Sequence, residues 1–145
     1  MPATKEITVL MDDQPGALGK VCRALAGHSV NIVAFQSFPV GGKSLTRFVF
    51  DNPTAAKSAL ESERLTHFET DIAQVKLPHR PGELGRAATR LGEAGININY
   101  TYCGVEPTTN ATLVFFGVTD VAKAVPILDQ TAAAAKALER AARKF

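Results

Sequence analysis

The chain holds 145 residues, 46% of them hydrophobic and 21% charged. That is enough apolar material for one ordinary domain or two very small ones, and it argues against disorder. The net charge of +2 is local: Lys136, Arg140, Arg143 and Lys144 against Glu139 put three positive charges into the last ten residues and leave the rest near −1, so no basic face of the kind nucleic acid demands is expected.

Ile7 to Met11 is a short β-branched and apolar run, closed by the turn cluster Asp12, Asp13, Gln14, Pro15, Gly16. Leu18, Val21, Cys22 and Leu25 then recur at i, i+3, i+4, i+7, which is one face of a helix over Ala17 to Ala26. Gly27, and later Gly95, are placed for left-handed helix ends. Asn31 leads into an extended run, Ile32 to Phe38. Gly41 and Gly42 predict a hairpin into a strand from Leu45 to Phe50, and Thr54 is a candidate N-cap for a second helix. Glu69 to Leu77 reads as one strand that both ends this unit and opens the next, which puts the boundary near Asp71. The second half repeats the order. Leu84, Ala87, Ala88 and Leu91 mark a helix face, Asn97 leads into Ile98 to Tyr102, a turn from Glu106 to Thr109 leads into Asn110 to Phe116, and Asp120 caps the next helix. Pro126 is expected to bend or interrupt that helix. Residues 132–142 are alanine-rich and predict helix where the repeat calls for a strand, with Leu138, Ala142 and Phe145 as a narrow apolar stripe.

The two halves match at an offset of 66 without a gap. Pro15, Gly16, Leu18 and Gly19 fall on Pro81, Gly82, Leu84 and Gly85, and Asn31 and Ile32 on Asn97 and Ile98. Thr46 and Phe50 fall on Thr112 and Phe116, and in all 12 of 51 positions are identical against about three expected by chance. Two copies of one unit follow.

A β-α-β-β-α-β unit is the ferredoxin-like arrangement. Asp13, Pro15, Gly16, Leu18 and Gly19 after the first strand, with Val30, Asn31 and Ile32 before the second, narrow it, and Arg80, Pro81, Gly82, Leu84 and Gly85, with Ile96, Asn97 and Ile98, repeat the pattern. This resembles the ACT domain, a small regulatory module attached to many enzymes of amino-acid metabolism, and the whole chain resembles the stand-alone tandem ACT-domain proteins of bacteria. The resemblance implies an α+β fold of two ferredoxin-like βαββαβ units side by side, residues 1–71 and 72–145, the second lacking its last strand and ending in a helix. It implies a non-catalytic regulatory protein that binds an amino acid at the interface between ACT units, near the first strand-to-helix turn. That places the candidate ligand residues at Asp12, Asp13, Gln14, Pro15, Gly16, Ala17 and Leu18 with Asn31 and Ile32 as the opposite wall. The second set is His79, Arg80, Pro81, Gly82, Glu83 and Leu84 with Asn97 and Ile98. A sheet edge left short of a strand is usually covered, so a homodimer is expected, with an enzyme or regulator as a further partner.

The turns have a plain structural reading, in which Pro stops the strand and Gly permits the corner. The functional reading adds that the turn opens a helix whose first amides lack partners and carry partial positive charge, a place for an α-carboxylate. In turn one, Asp12 and Asp13 can meet an α-ammonium group. In turn two, Arg80 can clasp a carboxylate, while Glu83 opposes an anion at the amides or caps the helix itself. Turn one matches a zwitterion's two ends better.

Other chemistry finds little footing. His28, His67 and His79 have no metal spacing and suit solvated or capping roles. No Gly-rich phosphate loop and no nucleophile, base and orienter set is visible, so no cofactor and no enzyme activity are expected. Cys22 reads as a core thiol and Cys103 as half-buried packing. Phe48, Phe50, Phe115 and Phe116 read as strand core. RNA-recognition domains share this strand order but need exposed aromatics on the third strand, where Leu45 and Arg47 stand instead. With two small cysteine-poor units, a polar N-terminus without a signal core and no apolar run near the ~20 residues of a membrane helix, a cytoplasmic protein with no membrane partner is expected. The alternative to a ligand sensor is a ligand-free interaction module that acts through dimerisation.

Overall fold

Alternating apolar residues and Pro-Gly corners give two units of matching element order in a computed structural model that describes residues 3–106, 109 and 111–143. Pro107, Thr108, Asn110, Lys144 and Phe145, which enter the expected turn, strand start, basic tail and apolar stripe, lie outside the described residues. The chain divides into two compact units, Lys5–Thr70 and Asp71 onward, the latter also holding Thr4.

The first unit runs β1 (Thr4–Asp12), α1 (Ala17–Gly27), β2 (Ile32–Val40), β3 (Lys43–Phe50), α2 (Pro53–Ser62) and the start of β4 (Thr66–Pro78). β3 lies between β1 and β2, antiparallel to both. The period-2 pattern of β1 puts Ile7, Val9 and Met11 on one face, where they bury with Phe48 and Phe50 against Val21 and Leu25 of α1 and Leu60 of α2. Each large apolar side chain so buried contributes roughly 1.5–3 kcal/mol. Gly41 (φ 56°) and Gly42 (φ 80°) form the two-residue hairpin between β2 and β3, the pair of left-handed residues that a type I′ turn requires.

The second unit takes the rest of β4, then α3 (Glu83–Glu93), β5 (Ile98–Gly104), β6 (Ala111–Val118) and α4 (Val121–Arg143). β6 pairs antiparallel with β4 and β5. Val75, Leu77, Leu91, Phe116 and Leu128 centre its core. Phe48, Phe50, Phe115 and Phe116 are all buried.

Five expectations need correction. The ungapped repeat holds only as far as β5. Ile7 pairs with Phe48 and its equivalent Ala73 with Phe116, so from β6 onward the offset is 68, and the β5–β6 connection carries two extra residues. Thr46 is thus equivalent to Val114, and Phe48 to Phe116. The same shift moves the helix cap. The N-cap of α2 is Asn52, whose Oδ1 accepts from the Ala55 amide at 3.1 Å, with Pro53 as the first helical residue and Thr54 inside the helix. Its equivalent is Asp120, whose Oδ1 accepts from the Lys123 amide at 3.0 Å.

Pro126 does not interrupt α4, which is one helix from Val121 to Arg143. Proline forfeits only the bond to the Ala122 carbonyl, and Ala124, Leu128, Thr131 and Ala135, spaced i, i+4, i+7, i+11, bury on one side and hold both halves. Leu138 is exposed.

Gly27 is ordinary helix, and the left-handed residue after α1 is Ser29 (φ 56°), the equivalent of Gly95 (φ 74°). The bonds agree in both units: the Val30 amide donates to the Leu25 carbonyl at 3.0 Å, and the Ile96 amide to Leu91 at 3.0 Å, a Schellman ending whose left-handed position favours glycine. Cys103 is exposed rather than half-buried, because it points off the pleat opposite Tyr102, which stacks on Phe115 at 5.6 Å. Cys22 is half-buried, and burial pushes its thiol up.

Two stability measurements test this reading. Ser29→Gly reproduces the ending that the second unit uses, and urea denaturation is expected to show a gain of about 0.5–1 kcal/mol. The Tyr100 ring lies over Gly117, where an added Cβ would come within 2.2 Å of the ring. Gly117→Ala is expected to cost about 1–3 kcal/mol, and clearly less in a Tyr100→Ala background. Equal costs in the two backgrounds would refute the contact.

Candidate functional site

Both strand-to-helix turns are the same object. Gln14-Pro15-Gly16-Ala17 closes with the Ala17 amide donating to the Gln14 carbonyl at 3.3 Å, and Arg80-Pro81-Gly82-Glu83 with the Glu83 amide donating to Arg80 at 3.4 Å. Gly16 (φ 87°, ψ −11°) and Gly82 (φ 89°, ψ −14°) hold the third position of a type II turn, which needs φ above zero, and proline suits the second. Each glycine is also the helix N-cap. It has no side chain to accept from the amides behind it, and no atom lies within 4 Å of where a Cβ would stand. The corner is therefore open on that side.

Around turn one, Met11, Asp12, Gln14, Ala17, Lys20, Val21, Glu63 and Leu65 line a cavity of ≈ 120 Å³. Asp12, Gln14 and Ala17 are the predicted residues brought together here. Asp12 pairs with Lys43, its register partner on β3, at 2.8 Å, and the Lys43 ammonium holds its carboxyl below the usual carboxylate range. Asp13 is exposed, as are Pro15 and Gly16, and Leu18 packs on the core instead. Asn31 and Ile32 take no part in the lining: the Asn31 amide donates to the Asp51 carboxylate at 2.9 Å, and Ile32 packs on the core. Lys20 and Glu63 escaped the sequence reading. Lys20 is legible, being one helical turn past Gly16, with its amide on the Gly16 carbonyl at 3.0 Å. Glu63, the C-cap of α2, arrives only through tertiary packing.

Turn two differs at the first helical position. Glu83 stands where turn one has Ala17, and its side chain is buried. Oε1 accepts from Arg80 Nε at 3.0 Å and lies 3.9 Å from Arg86, while Oε2 is buried with no partner among the described residues. Glu83 thus puts a buried negative charge in the first turn of α3, the end of the helix that favours one, and its hydrogen bond goes to Arg80 rather than to the helix amides. Pro78, His79 and Arg80 border a larger cavity of ≈ 520 Å³. His79 lies 3.5 Å from the Thr112 hydroxyl. Pro81, Gly82 and Leu84 are exposed, the Asn97 amide donates to the Thr119 hydroxyl at 3.2 Å, and Ile98 packs on the core.

His28 Nδ1 lies 3.1 Å from the Ala24 carbonyl and His67 Nδ1 2.9 Å from Leu65. Among the described residues no cluster of three metal-type side chains occurs, and no helix is long and apolar enough to cross a membrane.

No curated protein matches the chain. A solved protein of Bacteroides thetaiotaomicron is similar in structure, at 22% identity, covering 88% of each chain with a TM-score of 0.79. The regulatory subunits of aspartate kinase from Thermus thermophilus (20% identity, TM-score 0.64) and Thermus flavus (21%, 0.59) are similar over 88% of this chain and 91% of theirs. At these identities the likeness shows the fold. Residues 5–62, from within β1 to the end of α2 and including the turn with the open glycine corner, match the model of the ACT domain.

Proposed function

We propose that the protein is a non-catalytic regulator that binds a small amino acid at its first strand-to-helix turn. An ACT domain is a regulatory, ligand-binding module, and two of the similar structures are regulatory subunits. The observation that carries the reading is the uncapped Gly16 corner facing a cavity with charges of both signs. The α-carboxylate docks on the first amides of α1, which the glycine leaves accessible, with Lys20 one turn away. The α-ammonium group faces Glu63 and Asp12. A cavity of ≈ 120 Å³ is below the range of drug-sized pockets, so the ligand carries a short side chain. Binding shifts the population of whichever assembled state holds the corner in this shape. A second copy of the chain, or an enzyme or regulator, is the partner that reads the change.

Titration calorimetry with the twenty common amino acids is expected to give heat with a small one, and Glu63→Gln to weaken it roughly tenfold. No heat from any of them removes the proposal and favours a ligand-free dimerisation module. The acid limb of binding gives a second check. Asp12 has a folded pKa below its unfolded value, so its ionised form, and the stability it lends, persist above the unfolded pKa and fade as pH falls through the folded one. Lys43→Met removes the depressing charge. The Asp12 carboxyl, followed by NMR, is expected to titrate at higher pH, and the loss of binding on acidification to move up with it.

A further inference from the structure

We infer that the second unit carries a separate site for a small molecule bearing two anionic groups, carboxylate or phosphate, in the cavity that α4 forms with the end of β4 and turn two. The cavity measures ≈ 520 Å³, within the range of ligand pockets. Lys76 from β4, Arg80 from the turn, and Lys136 and Arg143 from α4 all line it, and among the described residues Glu139 is the single lining carboxylate. On α4, Ala132, Lys136, Glu139 and Arg143 follow one another at i, i+4, i+7, i+11, a single helix face, and roughly 10 Å of helix axis separates Lys136 from Arg143. Two cationic ends across an open space of that length suit a ligand with two charged groups better than a monoanion.

The cations are not locked to each other's partners. Lys76 lies 3.8 Å from Glu106, and the exposed Arg143–Glu139 contact is 3.3 Å. Such solvent-reached pairs contribute little and yield to a better-placed anion. Lys136 has no hydrogen-bond or ion-pair partner among the described residues. Arg80 is fixed differently. Glu83 holds its Nε at 3.0 Å, and its Nη2 lies 3.5 Å from the Ala135 carbonyl on α4. Because Glu83 Oε2 already lacks a partner among the described residues in a buried place, releasing Arg80 would leave the buried carboxylate still less compensated. The guanidinium is therefore held at the cavity rim before any ligand arrives, which lowers the ordering cost of binding. The site is independent of the amino-acid reading of turn one.

The test is calorimetry at low ionic strength on the full chain, with pyrophosphate and succinate as probes. At least one is expected to bind, the one that does identifying phosphate or carboxylate as the preferred group. Lys136→Glu and Arg143→Glu change exposed residues on the helix face and are each expected to weaken binding roughly tenfold or more. Glu63→Gln, at the other turn, is expected to leave the anion's affinity unchanged. No binding by either probe, or binding that Lys136→Glu leaves intact, overturns the inference, and neither outcome touches the amino-acid titration.

Discussion

A type II turn demands a backbone conformation with positive φ at its third residue, and an L side chain there costs on the order of 1–2 kcal/mol. Gly16 and Gly82 meet that demand at φ 87° and 89°, and most of the local architecture follows. The preceding proline ends the strand. The glycine turns the chain so that a helix can begin within two residues, back over the strand that has just ended. Because the same glycine is the N-cap, the helix starts without a side-chain cap, which an ordinary helix would draw from Ser, Thr, Asp or Asn. The lack of a side-chain cap is thus a direct result of how the corner is made, and the same helix start appears in both units before any functional residue is considered.

What differs is one residue after the corner. Ala17 adds no charge at the start of α1, whereas Glu83 sets a buried carboxylate in the first turn of α3, bonded to Arg80. Two turns of equal geometry therefore present opposite chemistry: one offers positive amides among acidic side chains, the other is neutralised within and offers a guanidinium outward. Duplicated scaffolds diverge cheaply in this way, because the backbone demand rests on Pro and Gly while the next position is unconstrained by the turn.

Much of the fold was legible because each element carried a local signal. The Gly41-Gly42 hairpin, the helix faces of α1 and α3 and the apolar alternation of β1 require no tertiary information. The offset of 66 was legible only where structure and sequence stay in step. Beyond β5 two extra residues shift the true equivalence to 68, and the identities Thr46/Thr112 and Phe50/Phe116 belong to different register positions. The hydrogen bonds settle it: Asn52 and Asp120 cap equivalent helices, and Asp51 and Thr119 bond the equivalent amides of Asn31 and Asn97. Chance identity in a sheet rich in Thr and Phe hid the insertion, since a slip of two residues keeps every side chain on its own face. Ser29 was missed for the opposite reason. Left-handed backbone was sought at glycine, and the Schellman bonds around Leu25 impose it on a serine.

The site was less legible, because walls come from elements far apart in sequence. Asp12, Gln14 and Ala17 were found from the turn itself, but Glu63 reaches the same cavity from the end of α2, and Asp12 was not known to be engaged by Lys43 until the β1–β3 register placed them side by side. The larger cavity depends on a still less local event. Where the first unit continues into β4, the second continues into α4, and an alanine-rich helix projects long charged side chains on one face while burying small ones on another. A strand at that place would have set its residues alternately on two faces about 7 Å apart along each, closing the space next to Arg80 or leaving it flat. A helix instead brings Lys136, Glu139 and Arg143 into a row along one wall. Where the repeat calls for a last strand, the helix thus walls a lined hollow, and to Lys76 and Arg80 it adds charges that read, in sequence, only as a basic tail.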